Sequence, residues 1–551
     1  MKPLDIGKCV IALMLASFAQ AAPVDSKINW SACYQDIGPR FECATLNVPM
    51  NYSVGNKSAA IQLALVRQPA SDPANKIGSI LLNPGGPGGS GVNFALSFAP
   101  FAQFIWGAEV ADKFDIVGFD PRGVGRSTGV RCFGNENQAS EVFAPAPFPL
   151  TLEEEAQQEV GDNLLRHQCD KRGSKIGDHM STANVARDMD QIRQALGEKS
   201  LNFVGLSYGS YVGNVYANMF PDNVRAVVID GVLDPVAWLN LEGQIPFSAR
   251  LNSSKGAQDT LNRFFELCIE SNDTCAFKGS STTADQLADR YRAIADSVLA
   301  NPLDLGSIVV TYNVLVSATL GALYNPANYP LIANDLAFVE FLIAAGGGFE
   351  ASPTDSLKYV NKRGFPNYQN FAEAFPSVAC SDSNNPDSYD IWSTEAAIRD
   401  LTSYFGRPWT WASSPCARWP FVDANRYEGD FMSYTANPVL VIGNFYDPAT
   451  PYEGAVTSRG LLPNSILLNV DLAAHTSLGA SPCAGFITGM YLLNPDSVGF
   501  VDKQTCPGLP GNGNPFDLFG GPFGSADSNG LEFGQKVRRD LLSEIGLVPR
   551  H

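Results

Sequence analysis

The chain has 551 residues, 45% hydrophobic and 17% charged, which is an ordinary globular composition and enough length for one large domain with an insertion or several smaller ones. Its net charge of −18 and pI near 4.7 argue against nucleic acid as a partner, because phosphate binding draws on clustered lysine and arginine.

Residues 1–21 read as a secretion signal. Lys2 and Lys8 precede the apolar stretch Cys9 to Phe18, and Ala19-Gln20-Ala21 has the small-x-small pattern of a cleavage site. About ten apolar residues are too few to cross a bilayer, which takes about twenty, so a secreted, extracellular protein is expected rather than a membrane-bound one. Of eleven cysteines, Cys9 leaves with the signal and ten remain. An even count without a C-x-x-C pair reads as disulfides, not zinc, and pairing of sequence neighbours is the simplest arrangement. Sequons at Asn29, Asn51, Asn56, Asn252 and Asn272 are glycosylation sites if a eukaryote secretes the chain.

Glu42 to Met50 and Ala59 to Val66 are predicted strands around a turn-rich segment. The buried strand Ile80 to Asn83 then runs into Pro84-Gly85-Gly86-Pro87-Gly88-Gly89-Ser90-Gly91. A glycine loop at a strand end either cradles phosphate or sets backbone N–H groups against an oxyanion, and the G-K-[ST] ending of a phosphate loop is absent. Asp115 to Phe119 is a further strand, followed by the turn 120–127, DPRGVGRS. Thr182 to Leu196 is predicted as an amphipathic helix with Val185, Met189, Ile192 and Leu196 on one face, capped by Ser181 or Thr182.

Next comes LNFVGLSYGS, 201–210, in which Ser207 lies between Gly205 and Gly209 with the G-x-S-x-G spacing of a nucleophile elbow. The spacing alone is weak, so its context has to decide. A helix from Tyr208 to Phe220 and a strand from Val224 to Ile229 complete a strand-helix alternation that predicts a mostly parallel sheet, with ligands beyond its carboxyl edge. The alternation breaks at 236–436, where helical faces such as Leu261, Phe264, Phe265 and Cys268 predict a large inserted helical cap. Strands resume at Pro438 to Gly443 and Ser465 to Val470, with a helix near Tyr452 to Leu461 between them. The expected division is therefore a core at 22–235 and 437–505, the cap at 236–436, and a tail at 506–551 that wraps the surface and is tied down by Cys506.

A serine hydroxyl needs a base to take its proton and an acid to orient that base. Of four histidines, His551 ends the chain and His167 and His179 precede the serine in a charged stretch. His475 follows the last predicted strand and is the expected base. Asp447 follows the penultimate strand, between serine and histidine in chain order, and is the expected acid, with Asp230 and Asp234 as rivals. The oxyanion donors are expected to be the N–H groups of Tyr208 and Gly86. Nothing in these motifs asks for a metal or organic cofactor.

The segments 83–91 (NPGGPGGSG), 114–127 (FDIVGFDPRGVGRS), 182–213, 230–235 (DGVLDP) and 438–455 (PVLVIGNFYDPATPYEGA) closely resemble the secreted tripeptidyl aminopeptidases. These are proline iminopeptidase-related serine peptidases of the α/β-hydrolase fold. The resemblance runs from about Cys33 to Ala480 and implies Ser207 as nucleophile, Asp447 as acid and His475 as base. Two features depart from the family pattern: Ala474 stands where relatives carry glycine, and Asn444-Phe445-Tyr446 replaces a run of small residues. Cys380-x-Asp382 also resembles the family and implies Asp382 as a binding group for a substrate's α-ammonium.

The expected function is a serine exopeptidase releasing short peptides, expected to be tripeptides, from free N-termini through an acyl-enzyme. A secreted esterase or other small-molecule acyl hydrolase would use the same groups, and a catalytically silent hydrolase-fold binding protein would be expected to have lost one of them.

Overall fold

The computed structural model describes residues 27–37, 40–135, 138–139, 147–306, 308–346, 370–509 and 513–519. The expected signal, 1–21, lies outside them. In chain order the strands of the main sheet are β1 (Ser31–Ala32), β2 (Glu42–Pro49), β3 (Ala60–Gln68), β4 (Gly78–Asn83), β5 (Phe114–Phe119), β6 (Leu201–Leu206) and β7 (Val224–Asp230). After the two short cap strands β8 (Leu303–Asp304) and β9 (Val309–Val310) come β10 (Val439–Tyr446), β11 (Ser465–Ala473) and β12 (Thr505–Pro507). The sheet order is β1-β2-β3-β5-β4-β6-β7-β10-β11-β12. Strands from β5 to β12 in that order pair in parallel, and the β1-β2-β3 end is antiparallel.

The parallel strands are buried on both faces, which is why they read as continuous apolar runs. Leu81, Phe203, Val227 and Val441 fill one face; Ile80, Leu82, Val204, Val228, Leu440 and Ile442 fill the other. Helices cover both. The core helices are α1 (Gly91–Phe98), α2 (Leu152–Arg172), α3 (Thr182–Ala195) and α4 (Tyr208–Met219), and the strands β6 and β4 lie side by side at the centre. On α3, Val185, Met189 and Ile192 are buried as the periodicity requires.

Between β7 and β10 lie the cap helices α5 (Ser253–Glu270), α6 (Ala284–Ala300), α7 (Tyr312–Leu323), α8 (Tyr329–Ala344), α9 (Phe371–Asp382) and α10 (Tyr389–Asp400). Leu261, Phe264, Phe265, Leu287, Tyr291 and Ile294 lie in the core shared by α5 to α8, whereas Ala374 and Val378 of α9 pack into the core on one face of the main sheet and Trp392 of α10 into a separate small cluster. The helices α11 (Tyr452–Leu461) and α12 (Pro482–Leu493) then return the chain to the sheet. Among the described residues no helix is long and apolar enough to cross a membrane.

Two expectations need correction. The segment after Cys506 is more than a surface wrap: β12 pairs in parallel with β11 as the sheet's last strand, and Phe516 is fully buried against Phe264 and Tyr329. Residues 148–172, assigned to the core, also pack on the cap. Phe148 lies in the cap's core, Glu155 pairs with Arg407 at 3.0 Å, and Tyr389 donates to Asp162 at 3.0 Å. Neither segment has a hydrophobic period long enough to reveal these contacts.

Five disulfides join sequence neighbours: Cys33–Cys43, Cys132–Cys169, Cys268–Cys275, Cys380–Cys416 and Cys483–Cys506. The turn after β5 is held by Arg122, whose guanidinium is fully buried. It donates to both oxygens of Asp188 on α3, at 2.7 and 2.6 Å, and to the carbonyls of Pro49, Met50 and His179. Breaking such a pair leaves a carboxylate in the interior without its countercharge. Arg122→Met is therefore expected to cost about 3–5 kcal/mol of unfolding free energy, read from the urea midpoint; a loss under about 1 kcal/mol would contradict this.

Candidate active site

Three chain segments meet at the carboxyl edge of the sheet. Ser207 follows β6 with φ 57° and ψ −126°, a conformation that only surrounding structure can hold for a non-glycine residue. The flanking glycines permit it: a Cβ on Gly205 would lie 2.1 Å from the Gly209 carbonyl oxygen, and one on Gly209 would lie 2.6 Å from that of Asn83. The Ser207 N–H donates to the Asp230 carbonyl at 2.9 Å, which fixes the elbow to the end of β7.

The glycine loop after β4 lies directly on this elbow. A Cβ on Gly85 would sit 2.4 Å from the Leu206 carbonyl oxygen, 2.8 Å from the Tyr208 nitrogen and 2.9 Å from the Ser207 Cβ. Asn83 holds the loop by accepting from the Gly85 N–H at 2.9 Å. At its far end, Asp120 accepts from the Ser90 hydroxyl at 2.5 Å and from the Val92 N–H at 3.0 Å, tying the start of α1 to the turn after β5. Neither the Gly86 nor the Tyr208 N–H has an acceptor among the described residues, the latter being a first-turn helical N–H.

His475 follows β11. Its Nδ1 lies 2.9 Å from Oδ1 and 3.1 Å from Oδ2 of Asp447, which follows β10. Asp447 is 1% exposed, and its carboxylate also accepts from the N–H groups of Ala449, Thr450 and Thr476 at 2.9, 2.8 and 3.1 Å. A carboxylate so held keeps the Nδ1 proton in place, leaving Nε2 as the basic nitrogen. From the cap, the Tyr324 carbonyl accepts from the His475 N–H at 3.0 Å, and the Tyr324 ring meets the imidazole edge to face at 4.9 Å.

The two departures from the family pattern touch each other. Asn444 is buried and its amide donates to the Ala474 carbonyl at 2.9 Å, while the Ala474 N–H donates to the Tyr446 carbonyl at 3.0 Å. The larger residue on β10 thus braces the peptide before His475. The rival acids have other partners. Asp234 caps the short helix Pro235–Leu239, and Asp230 bonds to the loop after His475.

The structure places Asp382 away from open space. At 2% exposure, its oxygens accept from the Thr182 N–H at 2.7 Å, the Thr182 hydroxyl at 2.6 Å and the Trp238 indole at 3.3 Å. An ammonium would have to displace these donors, so the geometry makes Asp382 a cap for the N-terminus of α3, in place of the expected Ser181 or Thr182 side chain. Asp423 does the same for the Ser181 N–H at 3.0 Å. The Thr182 hydroxyl also hydrogen-bonds the Tyr208 phenol, so a carboxylate of the helical cap reaches, through Thr182, the residue after Ser207. The helix α9 that carries Asp382 begins over the glycine loop, where a Cβ on Gly86 would lie 3.3 Å from the Phe371 ring. Nothing in the sequence pattern pointed to Tyr324 or Phe371, since a contact between cap and loop leaves no periodic trace.

An α/β-hydrolase-fold family model matches residues 78–274, and a model described as TAP-like protein matches 402–499. The tripeptidyl aminopeptidase of Streptomyces coelicolor is 30% identical over 87% of this chain and 86% of its own. This chain belongs to that family. It is a serine peptidase of the α/β-hydrolase fold. Serine protease Hip1 of Mycobacterium tuberculosis is 29% identical over 82% of this chain and 85% of its own, and Carboxylesterase B of the same organism is 30% identical over 85% and 88%.

Burial pushes the Asp382 carboxyl up to about 7, against the hydrogen bonds from Thr182 and Trp238. Below about pH 4 the group is protonated folded and unfolded, and it costs nothing. Between about pH 4 and 7 only the unfolded chain releases the proton, so its contribution destabilises the fold as pH rises and then levels off. Asp382→Asn should flatten that part of the profile of Tm against pH; a slope equal to that of the parent protein would refute the assignment.

Proposed function

We propose that this peptidase is an exported exopeptidase that removes short peptides, tripeptides foremost, from free N-termini through an acyl-enzyme. The observation that carries the reading is the Asp447–His475 pair at 2.9 Å, set at the same sheet edge as the strained Ser207 and beneath a helical cap. In this reading His475 Nε2 takes the Ser207 hydroxyl proton as Oγ bonds to the scissile carbonyl carbon. The carbonyl oxygen, now an anion, takes the N–H groups of Gly86 and Tyr208. The imidazolium gives its proton to the leaving amine as the C–N bond breaks, and a water, deprotonated by the same nitrogen, then releases the acyl group and restores Ser207.

The cap supports an exopeptidase reading. The start of α9 over the glycine loop and Tyr324 against His475 narrow the approach, which favours chain ends over folded substrates. The names of the Streptomyces and Mycobacterium peptidases support peptide substrates. Five disulfides support export to an oxidising compartment. An esterase is the second reading, favoured by the relative named Carboxylesterase B. Of the sequons, Asn29, Asn252 and Asn272 are exposed, and the Asn272 amide donates to Asp517 at 3.0 Å.

Unblocked peptides, N-acylated peptides and simple esters separate the readings. Release of intact tripeptides from unblocked peptides is expected, and turnover of esters alone would overturn the peptidase reading. Ser207→Ala should abolish fluorophosphonate labelling, and Asp447→Asn should lower kcat by about 10³- to 10⁴-fold with the fold intact. Persistent labelling of the alanine variant would place the nucleophile elsewhere.

A further inference from the structure

We propose that Asp230 is a positioning residue that ties the nucleophile elbow to the histidine loop through one buried residue. The proposal rests on the reading of Ser207 as nucleophile and His475 as base. Asp230 is the last residue of β7, paired in register with Leu206 on one side and Ile442 on the other, so it stands between the strands that end in serine and acid.

Its two ends face different parts of the site. The backbone carbonyl accepts from the Ser207 N–H at 2.9 Å. The carboxylate, in a residue 2% exposed, accepts from the Ser477 N–H at 3.0 Å to each oxygen, from the Ser477 hydroxyl at 2.9 Å and from the Leu478 N–H at 3.0 Å. All these donors belong to the segment two and three residues beyond His475. No arginine or lysine pairs with the carboxylate among the described residues, so the histidine loop alone offsets its removal from water. An ion placed at that cost, and satisfied by one loop, specifies where the loop sits.

The chemistry of the contact needs an acceptor on every face. An asparagine keeps one oxygen but turns an N–H₂ toward a backbone N–H, leaving a buried donor unsatisfied. Burial pushes the Asp230 carboxyl up to about 6; Asp447 adds to this, while Ser477 and His475 oppose it. Asp447 and His475 are the titrating groups that face it. Protonation would likewise turn an O–H toward the loop's donors, so Asp230 contributes to the acid limb of activity.

The full-length chain tests this through the rate of fluorophosphonate labelling at Ser207 from pH 4 to 9, which needs no knowledge of the substrate, together with kcat and KM on the best peptide. Asp230→Asn is expected to slow labelling and kcat by about 10- to 100-fold, with KM changed by less than about threefold. The midpoint of its acid limb should move to lower pH, because the titrating carboxyl is gone. Ser477→Ala, which loses only the hydroxyl contact, is expected to slow labelling by about 3- to 10-fold. A folded Asp230→Asn protein with the parent rate, or with a lowered Tm but the parent acid limb, overturns the proposal. If that variant does not fold, Ser477→Ala labelling at the parent rate overturns it. A parent protein unlabelled at Ser207 refutes instead the reading on which the proposal rests.

Discussion

Everything at this site depends on how closely two backbones cross beneath Ser207. The strand that ends at Leu206 and the helix that starts at Tyr208 pass so near each other that a single Cβ on Gly205 would overlap the Gly209 carbonyl oxygen. Only glycines at those positions let the chain turn sharply enough to lift the serine to the sheet edge with a positive φ. The strain is held by neighbours rather than by the turn itself. The glycine loop after β4 lies against it, and the end of β7 accepts its N–H.

From that crossing outward, the site is a set of short loops at adjacent strand ends, each fixed by a buried carboxylate. Asp120 ties the start of α1 to the turn after β5, Asp447 gathers its own loop and the histidine, and Asp382 and Asp423 seat the N-terminus of α3. Most of these carboxylates accept from backbone N–H groups, whose positions are set by the main chain and lose little freedom on pairing. That pattern also explains why so acidic a chain tolerates buried aspartates: their donors are backbone dipoles at loop and helix starts, which are present whatever the surface charge.

The cap reaches the chemistry at two points. Tyr324 receives the backbone N–H of His475 and packs its ring on the imidazole, and α9 places Phe371 over the glycine loop while Asp382 at its other end bonds to Thr182 and so to the Tyr208 phenol. The cap thus touches the surroundings of His475, the glycine loop and Tyr208 together.

The amino-acid pattern alone carried the sheet and the glycine spacing around Ser207, and it made Ser207, Asp447 and His475 candidates in that chain order. Short apolar runs such as 226–229, bounded by turn signals, fit strands buried on both faces, and glycines spaced around Ser207 encode a local backbone geometry. It also suggested the disulfide pairing, since every bridge joins neighbours along the chain. Chain order singled out Asp447, but tertiary structure decided what Asp230 and Asp382 bind: Asp447 bonds to the histidine's nitrogen, Asp230 to the loop beyond it and Asp382 to a helix start 200 residues away. It likewise decided that Thr505–Pro507 is a strand and that Phe148 and Phe516 belong to the cap's core. Contacts between segments distant in the chain depend on packing and leave no period in the residues that make them, which is why the sequence pointed to candidate residues and not to the bracing around them.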